Sequence, residues 1–266
     1  DGRYTHHAIF DETIKFIKNN KDKPFFLYCP WTPPHAAYQI PEDEPAWKMY
    51  KDKPWPHDAR VAAAMDTMMD RHVGEITALL KKLGIYQNTL MFFTSDNGAA
   101  KRFDGIHNSS GVMQGKKRSL NEGGIRVPMV VRWPGKIKAG RVSSHPWYFP
   151  DVMPTFAEIG GVSTEVPEDI DGISILPTLL DKGVQKQHEY MFWQYGVRAV
   201  RSGKWKGIGK GGHLYLYDLS KDIEEKNDLS SKHPEISARM KKYIKIGYRE
   251  PRSQKDDGKY TGKDKK

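Results

Sequence analysis

Cysteine is almost missing from this chain: Cys29 is the only one in 266 residues. A lone thiol excludes an internal disulfide and any metal site made of several thiolates. No apolar run approaches the roughly 18–20 residues that a membrane-crossing helix needs, so no membrane partner is expected. Zinc-finger spacing, an RNP-like aromatic motif and a helix-turn-helix pattern are also absent, which removes nucleic acid from the expected partners. No segment repeats another. What remains is the make-up of a globular protein, with 38% hydrophobic and 11% aromatic residues, too many for a disordered chain. The length accommodates one large α/β domain and a small accessory one.

Lys and Arg number 43 against 33 Asp and Glu, a formal net charge of +10. Part of the excess lies in Pro251–Lys266, a polar, lysine-rich stretch without hydrophobic periodicity that reads as a flexible tail. Solvated lysine accounts for much of the rest. A basic surface also attracts anionic substrates such as sulfated or phosphorylated polymers.

Phe10, Ile14 and Ile17 fall on one face of a helix over 8–18. Phe25–Cys29 is a short, wholly apolar run of the kind found in buried parallel strands, which makes Cys29 a core thiol. A proline- and aromatic-rich loop follows from Pro30 to about His57, longer than a mere connector. Val61, Met65, Met68, Ile76, Leu80 and Leu83 then recur at helical spacing, with Asp58 as N-cap and Gly84 as the stop. Asn88–Thr94 is a second buried strand, so strand, helix and strand predict a right-handed parallel crossover. Val127–Trp133 is another strand, and Asp151–Gly160 and Ile173–Leu180 are short helices. Beyond Lys182, strand candidates at Tyr190–Gln194, Val197–Arg201, Trp205–Gly207 and Leu214–Leu219 predict an antiparallel sheet. A helix from Pro234, carrying Ile236, Met240 and Ile244, closes it. The expected fold is α/β: a mostly parallel sheet over 1–184, a small antiparallel sheet with one helix over 185–250, and the tail over 251–266.

Ligands of open parallel sheets gather at the carboxyl ends of strands. One apolar run here leads into Trp31-Thr-Pro-Pro-His35 and another into Thr94-Ser-Asp96-Asn97-Gly98. Asp96 and Asn97 are adjacent oxygen donors suited to Ca²⁺ or Mg²⁺ and not to zinc, although Asp-Asn-Gly is equally a common turn. Further on, Lys116-Lys117-Arg118 precedes a Gly-Gly turn and presents Lys117 to an anion, or to water as a solvated basic loop.

Taken in order, these segments resemble the sulfatase family of the alkaline-phosphatase superfamily. The matching text is Pro24-Phe-Phe-Leu-Tyr28, Pro34-His35, Phe93-Thr-Ser-Asp-Asn-Gly98 and Gly115-Lys-Lys-Arg-Ser-Leu120. It continues with Glu122-Gly-Gly-Ile-Arg-Val-Pro128, Arg132-Trp-Pro-Gly135, Asp151-Val-Met-Pro-Thr155, Asp171-Gly-Ile-Ser174, Arg198-Ala-Val-Arg201 and Leu216-Tyr-Asp-Leu219. The resemblance implies hydrolysis of sulfate monoesters, aryl or carbohydrate. It makes Asp96 and Asn97 ligands of a divalent metal, usually Ca²⁺, that holds the sulfate. It makes Lys117 the lysine at the sulfate and leaving-group oxygen, and His35 the histidine that protonates the departing alcohol. Glu122 and Arg126 are read as braces of the turn and strand; Arg118 and His107 are candidate pocket residues or, equally, parts of a solvated loop. Family habit points to a periplasmic, secreted or lysosomal setting.

The sequence also departs from the family. The formylglycine nucleophile arises from Cys or Ser in a Cys/Ser-x-Pro/Ala-x-Arg motif, and neither Cys29-Pro-Trp-Thr-Pro33 nor any serine here fits it. The family's early pair of metal-binding aspartates is missing too. The expectation is therefore a C-terminal portion of a sulfatase, inactive on its own and with an incomplete metal shell. A phosphodiester or phosphonate monoester hydrolase of the same superfamily and a non-catalytic protein that binds anionic glycans are the alternatives.

Overall fold

A computed structural model describes residues 2–103 and 105–249. Phe10 and Ile17, two turns apart on α1 (Thr5–Asn20), form the buried face that the spacing predicted. They pack with Ile76, Leu80 and Tyr86, and Phe10 stacks on the His72 ring at a centroid separation of 3.8 Å. The long loop carries one short helix, α2 (Pro45–Tyr50), capped by the Glu44 carboxylate, which accepts from the Ala46 N–H at 3.2 Å. In α3 (His57–Lys82), Val61, Met65, Met68, Ile76 and Leu80 are buried as expected, and Gly84 ends the helical run at φ +74°. Pro56 and not Asp58 is its N-cap; Asp58 lies in the first turn, where its charge suits the helix dipole.

Next come β1 (Met91–Thr94), the single helical turn α4 (Glu122–Ile125) and β2 (Met129–Arg132). The strands pair antiparallel, from Met91↔Arg132 to Thr94↔Met129. Short helices α5 (Val152–Ile159) and α6 (Leu176–Leu180) lead to β3 (Met191–Tyr195), β4 (Val197–Ser202), β5 (Trp205–Lys210) and β6 (His213–Asp218). These four form an antiparallel meander in sequence order. Its pleat divides the side chains between two faces. Val200, Leu214 and Leu216 pack on Met240 and Tyr243 of α7 (Pro234–Ile246), each buried aliphatic side chain contributing about 1.5–3 kcal/mol. Gly207 lets α7 approach: a Cβ there would stand 2.9 Å from Met240 Cβ. Ala199, Ile208, Tyr217 and Leu219 pack instead on Leu120 and Ile125, so this sheet backs the segment that carries Lys117.

The α/β class and the small C-terminal sheet with its helix are as expected, but the parallel pairing is not. Both sheets among the described residues are antiparallel, and Phe25–Cys29 forms no strand. Its period-two alternation survives: Leu27 and Cys29 are half-buried, while Phe26 and Tyr28 are 68% and 70% exposed. A strand needs a neighbour to bond to, and none of the described residues provides one here. Cys29 is accordingly half-buried and no core thiol; Thr13 Oγ1 lies 3.7 Å from its sulfur, and burial raises its pKa. The tail expected over 251–266 lies outside the described residues.

Candidate active site

The end of β1 is fixed first. The Thr94 hydroxyl donates to the Pro128 carbonyl at 2.9 Å, tying it to the approach of β2. The chain then turns through Ser95–Ala99, where the Ser95 hydroxyl bonds Asn97 O at 3.2 Å and Asp96 Oδ1 at 3.4 Å. The Gly98 N–H donates to Gly124 O at 2.9 Å, and Ala99 O accepts the Lys117 N–H at 2.8 Å. The basic loop closes on itself through Gly123 N–H to Gln114 O at 2.7 Å and Ser119 N–H to Lys116 O at 2.8 Å.

Three glycines make this meeting of backbones possible. A Cβ on Gly98 would fall 2.0 Å from Gly123 O, one on Gly123 2.3 Å from Gly115 O, and one on Gly124 2.1 Å from Ser119 O. Next to Lys117, Arg118 holds φ +75°, a left-handed conformation costly for a side chain with Cβ. The loop geometry is thus over-determined by its surroundings, and Lys117 and the Asp96-Asn97 pair are brought together through backbone.

Asp96 is exposed and Asn97 half-buried, with Asn97 Nδ2 donating to Gly98 O at 3.1 Å and Oδ1 left as an acceptor. Two oxygen donors suit a hard cation but do not fill its shell. Among the described residues no group of three or more His, Cys, Asp or Glu side chains converges as a metal site.

His35 stands on the exposed loop, donating from Nδ1 to Ala36 O at 2.7 Å, which leaves Nε2 for another partner. No hydrogen bond or ion pair among the described residues joins it to Asp96, Asn97 or Lys117. Its loop nevertheless packs on the segment after Asn97. Tyr38 meets Phe103 at 4.9 Å, the Arg102 guanidinium lies 5.5 Å over Tyr38, and Trp55 meets His107 at 5.3 Å. Arg102 also pairs with Asp58. The result is an aromatic and cationic rim beside the strand end.

Below the loop lies a charged cluster in which Glu122 and Arg126 were expected and Lys206 and Glu225 were not. Lys206 Nζ sits 2.8 Å from Glu122 Oε1 and 2.9 Å from Glu225 Oε1, and all three side chains are buried. Arg126 Nε donates to Glu122 Oε2 at 2.7 Å, in keeping with the bracing role expected of that pair. Burial alone would raise the Glu122 pKa; the Lys206 and Arg126 charges overcome it and hold the carboxyl below its ordinary value. The available signal was Lys206 itself, a lysine at an inward position of an alternating strand.

The architecture is that of an alkaline-phosphatase-like α/β fold. It matches the crystal structure of Ps i-CgsB in complex with k-i-k-neocarrahexaose at a TM-score of 0.79 and 29% identity, covering 93% of this chain and 55% of that one. The chain belongs to the sulfatase family: residues 2–162 match the Sulfatase model, and residues 114–247 match that of the N-sulphoglucosamine sulphohydrolase C-terminal region. It is 34% identical over 213 residues to the steryl-sulfatase of Mus musculus, covering 74% of this chain and 32% of the relative. It is 30% identical over 259 residues to the N-acetylgalactosamine-6-O-sulfatase of Bacteroides thetaiotaomicron, covering 86% and 48%. The matched region therefore spans 32% and 48% of the length of these two curated relatives.

Proposed function

We propose that this chain supplies part of the active site of an enzyme that hydrolyses sulfate monoesters, and that its substrate is a sulfated carbohydrate. The observation that carries the reading is the backbone pinning of Lys117 to Ala99, at 2.8 Å, directly after the Asp96-Asn97 pair. Asp96 and Asn97 offer two hard oxygens to a divalent cation, Ca²⁺ in preference to zinc. Bound there, the cation supplies positive charge against the sulfate oxygens. Lys117, half-buried, holds its ammonium where the bridging oxygen gains charge as the S–O bond breaks. His35, anchored through Nδ1, offers the proton on Nε2 to the departing alkoxide. No residue of this chain fits the formylglycine motif, and the 266 residues alone are inactive in this reading. Residues 1–184 are the catalytic portion in this reading and 185–250 the accessory unit behind the Lys117 loop.

The carbohydrate preference rests on the rim. Tyr38, Trp55 and Phe103 offer flat apolar faces to sugar rings, and Arg102 and Arg118 offer charge to pendant sulfates. The similarity to a carrageenan-oligosaccharide complex and to an amino-sugar sulfatase supports it. The test is sulfate release by the intact gene product from sulfated N-acetylgalactosamine, carrageenan oligosaccharides, steryl sulfate and aryl sulfates. Lys117→Ala should lower turnover of the preferred sulfated sugar about 10²–10³-fold. An enzyme that cleaves steryl sulfate but no sulfated sugar would refute the substrate class, and one that cleaves no sulfate at all would refute the function.

A further inference from the structure

We propose that Lys206 and Glu225, both on the C-terminal unit, are positioning residues for the strand-end site, acting through Glu122 on the turn that joins Gly98 to Lys117. The consequence for turnover rests on the function proposed above; the geometry does not. Glu122 opens α4 and is gripped twice. Its N–H donates to Glu225 Oε2 at 2.7 Å, and its carboxylate meets Lys206 Nζ at 2.8 Å. Gln114, at the start of the same loop, donates to the Glu225 carbonyl at 3.2 Å, so one residue holds both ends of the turn. Glu225 itself sits at φ +53°, a left-handed conformation that a side chain tolerates only when its surroundings enforce it.

From Glu122 the connection to the site is short. Gly123 and Gly124 follow directly; Gly124 O accepts the Gly98 N–H, and Ala99 O accepts the Lys117 N–H. A displacement of Glu122 therefore reaches Asn97 and Lys117 through a few backbone bonds with no flexible side chain between them. Stability alone is a poor account of this cluster. Buried ion pairs add little over an apolar replacement, whereas they do fix one geometry. The apolar contacts that already seat the segment on the sheet, Leu120 and Ile125 on Ala199, Ile208 and Tyr217, do not depend on it.

The test uses the intact gene product with Glu225→Gln, Lys206→Met and Lys206→Arg, and with Asp228→Asn as control. Asp228 braces the same sheet, accepting from the Leu216 and Ser230 amides and pairing with His213, with no hydrogen bond to Glu122 among the described residues. Amide exchange at Gly98, Lys117 and Gly123 should quicken about tenfold or more in Glu225→Gln and Lys206→Met and stay unchanged in the control. Turnover of a sulfate ester should fall about tenfold, with KM within about threefold, and Lys206→Arg should recover most of both. If Lys206→Met does not fold, Glu225→Gln carries the comparison. Unchanged exchange and turnover in folded Glu225→Gln, or an equal loss in Asp228→Asn, would overturn the proposal. Faster exchange in the two variants, alongside a wild type that cleaves no sulfate, would leave the positioning standing and remove the sulfatase reading.

Discussion

Lys206 Nζ and Glu122 Oε1 stand 2.8 Å apart across 84 residues of chain, and both groups are shut off from solvent. Removing one member strands the other charge in the interior, where it cannot be hydrated. Lys206→Met should therefore lower the unfolding free energy by about 3–5 kcal/mol, read from urea denaturation. A change below about 1 kcal/mol would mean that the cluster is hydrated in solution.

Glycines in this chain should answer very differently to alanine. Gly98→Ala forces a Cβ to within 2.0 Å of Gly123 O, and a backbone oxygen cannot swing aside. A loss of more than about 3 kcal/mol is expected in a thermal or urea melt. Gly74, inside α3, has nothing within 4 Å of a built Cβ, so Gly74→Ala should stabilise by about 0.5–1 kcal/mol. Equal effects at the two positions would contradict the close backbone contact.

His6 Nε2 and His72 Nδ1 lie 2.9 Å apart beneath Phe10 and Trp31. Burial first, then the charges of His72, His7 and Arg71, lowers the His6 pKa to about 4, and Glu44 offsets this only in part. Burial first, then Arg71 and His7, lowers that of His72 to about 4 against Glu44 and Asp11. Unfolded, each imidazole titrates near 6.5. Between those values the unfolded chain binds more protons than the native one. The contribution is fully present above pH 6.5 and is lost as pH falls towards 4. Urea midpoints from pH 7.5 to 4 should fall accordingly, and His72→Gln should flatten the curve. A wild-type midpoint that is level across this range would disprove the linkage.

The proposed metal and acid roles separate experimentally. Asp96→Ala in the intact gene product should raise the Ca²⁺ concentration giving half-maximal thermal protection at least about tenfold, since a carboxylate is lost from the shell. His35→Ala should depress turnover of alkyl or sugar sulfates by about 10²–10⁴ and of aryl sulfates much less, because a good leaving group needs no proton. Equal losses on both substrates would argue against His35 as the acid.

Elements with local causes were legible in the sequence. α1, α3, the four-strand meander and α7 follow from apolar spacing and from Pro234 at a helix start. Phe25–Cys29 has the composition of a strand, but a ladder is a property of two segments and composition describes one. The juxtaposition of Asp96 and Asn97 with Lys117 was legible only as an ordered set of motifs; the bonds that produce it run between backbones at Ala99 and Lys117, which carry no residue signature. Lys206 and Glu225 escaped because their partners lie 84 and 103 residues away. Of the two candidate pocket residues, Arg118 shows a strained backbone and His107 an aromatic contact with Trp55.

The meeting of Gly98, Gly123 and Gly124 also bears on how a lineage of such enzymes can change diet. Any side chain at the junction would collide with backbone oxygen, so the approach of the Asn97 turn to the Lys117 loop tolerates almost no substitution there. Tyr38, Trp55, Arg102 and Phe103 stand on the surrounding loops, where exchange of one residue leaves that junction untouched. Substitutions on those loops should therefore reshape the rim and leave the backbone junction intact.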